Sequence, residues 1–188
     1  MSLSAFLASL FDLCRFRHGP EDVPYAPWLL VALLVASGVL QVGFNLHDGL
    51  KPPLVAGAPF GGLMAIGTVF LLLRGRGMAE RFVQTATALV AVNLLFDLPI
   101  KLLTLLLPMQ ALEEYWLSRG AQVPALTGAQ TLVMMVVAVL GVWQLCVWIG
   151  TLRRALEIPL AGGLLVFLLL VFVNLVAAAL VASVIGVA

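Results

Sequence analysis

The chain has 188 residues, 63% of them hydrophobic and only 10% charged, with a net charge of +1. Soluble domains carry roughly 25% charged residues, so a water-soluble fold of this length has too little polar surface to cover itself. With no basic stripe, nucleic acid is excluded as a partner. Cys14 and Cys146 lie far apart in sequence, Cys14 in the N-terminal segment and Cys146 inside an apolar run. They read as small buried hydrophobes rather than a disulfide.

The N-terminal stretch lacks the cationic start and small-residue cleavage site of a signal peptide, and Asp12 and Arg15 interrupt it. The mature protein is therefore expected to keep its first residues. Residues 3–17 place Leu3, Phe6, Leu7, Leu10, Phe11 and Cys14 near one helical face, with Ser4, Asp12 and Arg15 elsewhere. This pattern predicts an amphipathic helix lying in the membrane interface, or docked on a partner or on the inner rim of the bundle.

A membrane helix needs about 20 largely apolar residues. Five such runs follow, at 27–46, 54–73, 82–107, 129–152 and 158–186. They are broken by His47-Asp48-Gly49, by Arg74-Gly75-Arg76-Gly77, by Pro108 and the segment beyond it, and by Arg153-Arg154. The expected fold is all-α, a single polytopic five-span bundle preceded by the interfacial helix. Arg15, Arg17, Arg74, Arg76, Arg81, Arg153 and Arg154 fall on one side of that bundle, against Lys51, Lys101 and Arg119 on the other. The arginine excess places the N-terminus in the cytoplasm and the C-terminus outside. The external loop from Met109 to Gly128 is expected to open with a short helix that sets Tyr115 and Trp116 at headgroup level. Its Glu113 and Glu114 diverge by ~100° on a helix and read as a solvated face.

The third span carries the chain's sharpest chemical signal. Asn93, Asp97 and Lys101 are spaced i, i+4, i+8 and share one helical side. Counting from Phe82, Asp97 lies ~22 Å in, where a charge persists because it pairs or works. Lys101 lies ~28 Å in and can extend its stem to the outer interface. Pro99, between them, removes a backbone donor and predicts a kink. The structural reading pairs Asp97 with Lys101 and lets Asn93 bond a neighbouring helix. The functional reading makes Asp97 a proton- or cation-handling carboxylate. Gln41, Asn45, Gln144 and Asn174 are amides inside other spans, and read as interhelical hydrogen-bond groups. Gly57, Gly61, Gly62 and Gly67 in the second span favour close backbone approach, as do Gly162 and Gly163 in the fifth. Trp148 reads as a membrane-boundary residue and, with Trp143, as a docking surface.

His18 and His47 fall on opposite sides of the membrane in this topology. No Cys/His cluster, Gly-x-Ser-x-Gly, phosphate loop or His-Glu-x-x-His occurs. No catalytic residue, metal site or cofactor is expected.

Arg81-Phe82-Val83-Gln84-Thr85-Ala86-Thr87-Ala88-Leu89, with the apolar run to Leu98-Pro99, resembles the third span of Yip1-type membrane proteins. Leu140-Gly141-Val142-Trp143 through Thr151-Leu152-Arg153-Arg154-Ala155-Leu156 resembles their fourth span and the basic turn before the last. The likeness covers about residues 80–180 and does not extend to Asp97 or Lys101. The lead-in from Arg15 to Tyr25 is similar to that of small bacterial inner-membrane proteins. The resemblance implies a bacterial inner-membrane protein that acts on membrane lipids, other membrane proteins or itself, without catalysis. The expected role is an accessory, scaffold or membrane-organising subunit working through lateral helix contacts; the alternative is a small transporter or proton-coupled permeation protein using Asp97.

Overall fold

The computed structural model describes residues 3–47, 52–108 and 126–184. They form six α-helices: α1 Leu3–Cys14, α2 Pro27–His47, α3 Pro52–Gly75, α4 Phe82–Thr104, α5 Gly128–Ala155 and α6 Leu160–Val184. Two single 3-10 turns, Pro20–Asp22 and Ala79–Arg81, lead into α2 and α4. Among the described residues, four helical stretches are long and apolar enough to cross a membrane: Pro27–His47, Ala79–Thr104, Gly128–Ala155 and Leu160–Val181. The expected span at 54–73 falls on α3, whose fully described part, Pro59–Gly75, is a shorter apolar helix. The loop helix expected around Glu113, Glu114, Tyr115 and Trp116 lies outside the described residues, as does Lys51.

The chain divides into two compact units, Met1–Leu94 with Cys146–Ala188, and Leu95–Leu145. At the centre of the first is α4, where every residue from Thr85 to Val92 is buried. Small residues, Ala86, Ala88 and Ala91, alternate there with Leu89, Val90 and Val92, so helices approach α4 from several sides. The buried hydroxyls of Thr85 and Thr87 donate to the carbonyls of Arg81 and Val83 one turn back. No polar group of that stretch is therefore left to the core. One apolar cluster joins Ala65, Val69 and Leu73 of α3 to Leu89 of α4, Leu152 of α5 and Leu170 of α6. A second sets Leu30 of α2 against Ala86 and Val90. The outward faces are hydrocarbon too: Val35, Val139, Leu165, Phe172 and Leu175 are each more than half exposed. That inversion of the soluble pattern is what lipid as solvent selects.

Three helix ends in the first unit close with the same left-handed motif. After α3, Gly77 (φ +73°) lets Met78 N–H reach Leu73 O at 2.8 Å. After α1, Phe16 (φ +61°) does the same for Arg17 N–H and Asp12 O at 2.9 Å. After α5, Glu157 (φ +52°) does it for Ile158 N–H and Arg153 O at 3.1 Å. Each is a Schellman closure that satisfies carbonyls at a helix end. A non-glycine residue in this region costs about 1–2 kcal/mol, and tertiary contacts hold both here. The Phe16 ring packs on Gly150 so closely that a Cβ there would lie 3.3 Å from the ring. Glu157 Oε1 meets Arg81 Nη1 at 2.7 Å.

The lead-in to α2 is tied down on both sides. The Arg154 guanidinium donates to the backbone carbonyls of Phe16, at 2.6 Å, and of His18. Gln84 Nε2 donates to the carbonyls of Val23 at 2.8 Å and Glu21 at 3.1 Å. Phe6, Leu10, Leu13 and Cys14 of α1 are buried, whereas Leu7 and Phe11 are exposed. The apolar surface expected on one side of α1 is thus split between a packed face and an open one. Burial pushes the Cys14 thiol up to about 11, so it remains a neutral packing group near pH 7. Arg154→Ala removes two charge-assisted bonds that are partly solvent-screened, and is expected to loosen this lead-in by about 1–2 kcal/mol. Trypsin should then cleave at Arg15 and Arg17 faster while the spans stay intact; unchanged cleavage would show that the guanidinium holds nothing.

The second unit contains the continuation of α4 and the first part of α5. α5 starts with a capping box: Gln130 N–H donates to Thr127 Oγ1 at 3.3 Å, and Thr127 N–H to Gln130 Oε1 at 3.0 Å. α4 runs through Pro99 but ends at Thr104, three residues before the expected 107. Pro108 bars its predecessor from helical geometry, and Leu105 to Leu107 unwind through single turn bonds. At the other end, α5 carries Arg153 and Arg154 as helix to Ala155, past the expected 152. Its stop is the Schellman turn at Glu157, not the charges themselves.

Candidate functional site

Asn93 and Asp97 stand one turn apart on α4, as Gln144 and Trp148 do on α5. In the first unit Trp148 Nε1–H donates to Asn93 Oδ1 at 2.8 Å. In the second, Gln144 Nε2 donates to Asp97 Oδ1 at 2.9 Å. Four-residue spacing keeps each pair of polar side chains on one helical side, so two antiparallel helices can match them in reverse order. Asp97 and Asn93 are both half-buried, where an unmet polar group costs several times what a hydrogen bond contributes in water.

Lys101 follows in the last turn of α4, half-buried. The hydrogen-bond partner of Asp97 is thus a neutral amide of another helix, besides the lysine expected within its own. Trp148 is half-buried and engaged with other helices. It bonds Asn93, and its ring meets Phe167 edge-on at 6.3 Å between centroids. The indole expected at a boundary or docking surface thus has its N–H and one ring contact taken up within the chain. Trp143 is 45% exposed.

The remaining amides divide. Gln144 links two helices. Gln41 Nε2 donates to Ser37 Oγ at 3.3 Å, one turn back on its own helix. Asn45 is half-buried on α2. Asn174 of α6 overlies Gly61 of α3, where an added Cβ would sit 2.5 Å from its Oδ1. Gly61 is thereby the position that lets α6 come this close. Asn93 bonds a neighbouring helix and Gln144 links two helices, as expected. Sequence reasoning did not name Trp148 and Gln144 as the partners of Asn93 and Asp97, although their shared i, i+4 spacing was available as a signal. It also missed Arg154 and Gln84 as backbone clamps, and no signal marks them, because any carbonyl can be their acceptor.

The long apolar helices with outward hydrocarbon define an α-helical integral membrane protein. The chain matches no protein-family model, no curated protein and no solved structure.

Proposed function

We propose that the protein works by lateral contact within a membrane, as a non-enzymatic accessory, scaffold or membrane-organising subunit. The observation that carries this reading is the division of labour among its side chains. The strongest intramembrane polar groups are spent on one another, Asn93 on Trp148 and Asp97 on Gln144, while broad apolar faces of α2, α5 and α6 stay open. In this reading α3 is the fifth span. The arginine-bearing turns face the cytoplasm, the C-terminus lies outside, and Leu7 and Phe11 of α1 dip into the lipid interface. A bacterial inner membrane and the Yip1-like pattern of residues 80–180 belong to the same proposal. Extraction in mild detergent should return a stoichiometric complex with another membrane protein or with further copies of this chain. A lone monomer under those conditions refutes the contact role.

One observation favours a second reading, a small transporter. The carboxylate of Asp97 is hydrogen-bonded to a neutral amide, an arrangement compatible with taking up and releasing a proton. Asp97→Asn keeps an oxygen acceptor for Gln144, so its stability change should stay near the ~0.6 kcal/mol typical of interhelical hydrogen bonds. Under the contact reading, vesicles reconstituted with either form show the same proton leak as empty ones. A leak present in the original protein and abolished by Asp97→Asn establishes transport instead.

A further inference from the structure

Within the first unit, helices α2 to α6 surround a cavity of about 400 Å³. That is inside the range of roughly 300–1,000 Å³ occupied by small-ligand sites. Its wall is mostly hydrocarbon, without a single charged residue, but it is not uniformly apolar. Ser37 and Gln41 reach it from α2, Asn93 from α4, Trp148 from α5 and Asn174 from α6. Gln41 and Asn174 each stand fourteen residues from the start of their helices, so both lie ~21 Å from the arginine-bearing end, within the ~30 Å hydrocarbon layer.

The hydrogen-bond capacity of these groups is unevenly used. The indole N–H of Trp148 is committed to Asn93. Gln41 donates to Ser37, which leaves its carbonyl oxygen and a second N–H. The amide of Asn174 makes no hydrogen bond among the described residues, although it brings two donors and an acceptor. Amides left unmet at hydrocarbon depth are costly, because no bulk water reaches them. Val35 and Leu63 also line the cavity, and both are about 60% exposed. The cavity therefore opens sideways, toward lipid.

The geometry points to a binding site for a neutral lipid, whose hydroxyl or ester carbonyl meets the Gln41 and Asn174 amides while its hydrocarbon fills the rest. A phosphate or carboxylate headgroup does not fit, since no cation lines the wall to offset its desolvation. Diffusion in the bilayer delivers such a ligand to the lateral opening without passage through water. This site stands apart from the contact reading above: it needs the cavity, not a partner protein.

Gly62 and Gly67 separate a filled cavity from a damaged fold. A Cβ at either position meets nothing within 4 Å, so Gly62→Leu and Gly67→Leu are both sterically open, but only Gly62 lines the cavity. The probe is a diacylglycerol with a photoactivatable diazirine in one acyl chain, added to the full chain in nanodiscs. Saturable labelling is expected on peptides of α2 and α3 that border the cavity, with competition by unlabelled diacylglycerol. Gly62→Leu should lower it by about tenfold or more, and Gly67→Leu should leave it unchanged. Asn174→Leu should weaken competition without changing the folded yield. A phosphatidylglycerol probe with the same diazirine should label outer faces without saturating. Labelling that does not saturate, that is equal in the two glycine variants, or that is blocked because a second copy of the chain fills the cavity, overturns the proposal.

Discussion

Leu152→Ala is expected to cost the bundle about 2–5 kcal/mol, the range for truncating a large buried aliphatic side chain. Leu152 has no exposed surface and belongs to the cluster that joins α3, α4, α5 and α6. Its loss opens a void in the cluster that ties α5 to three other helices, and small neighbours such as Ala65 and Ala155 cannot grow to fill the gap. Lipid changes the transfer term, because an exposed leucine in a bilayer is already in hydrocarbon. The cavity term survives, since a void has lost its dispersion partners whatever surrounds the protein. Leu165→Ala, at a position 66% exposed on α6, is the matched control and should be near neutral. Unfolding midpoints in mixed detergent would report the difference, and equal midpoints would refute this placement of the core.

Gln144→Leu is expected to be the next most damaging change, by about 2–3 kcal/mol. It deletes the amide that reaches Asp97 and leaves a half-buried carboxylate one donor short. Asymmetry makes the test sharp, because removing one partner costs more than replacing both by apolar groups of similar shape. The double variant Asp97→Leu/Gln144→Leu should therefore be more stable than Gln144→Leu alone. A double variant less stable than either single one would mean that Asp97 contributes through something other than this bond. Transport assays on the same set would show whether flux, if any, follows the carboxylate or the fold.

The span boundaries were legible because lipid imposes a length and an apolar content that few other arrangements satisfy. Pro27 and His47 bracket α2 within a residue of expectation, and Leu160 begins α6 just after Pro159. Misjudged ends have local causes: Pro108 shortens α4, and the left-handed Glu157 lets α5 absorb two arginines. Asp97 stood out as a charge in hydrocarbon, but its bond to Gln144 was not legible. Spacing along one helix tells which groups share a side, not which helix will face that side. Lys101, one turn away, was the nearest partner that local reasoning could supply. Outward-facing helices left a similar gap at Trp148: α5 is apolar nearly all round, so periodicity could not say that its indole would bond Asn93.

The repeated Schellman closures have an effect beyond the helices they finish. Arginine near a helix end often serves by capping the last carbonyls. After α3 and α5 the backbone has already closed on itself, through Met78 to Leu73 and Ile158 to Arg153. Arg74, Arg76 and Arg153 are consequently released from that duty, with exposed side chains on tight, well-braced corners. Under the proposed orientation, these uncommitted cations lie where phosphate headgroups can meet them.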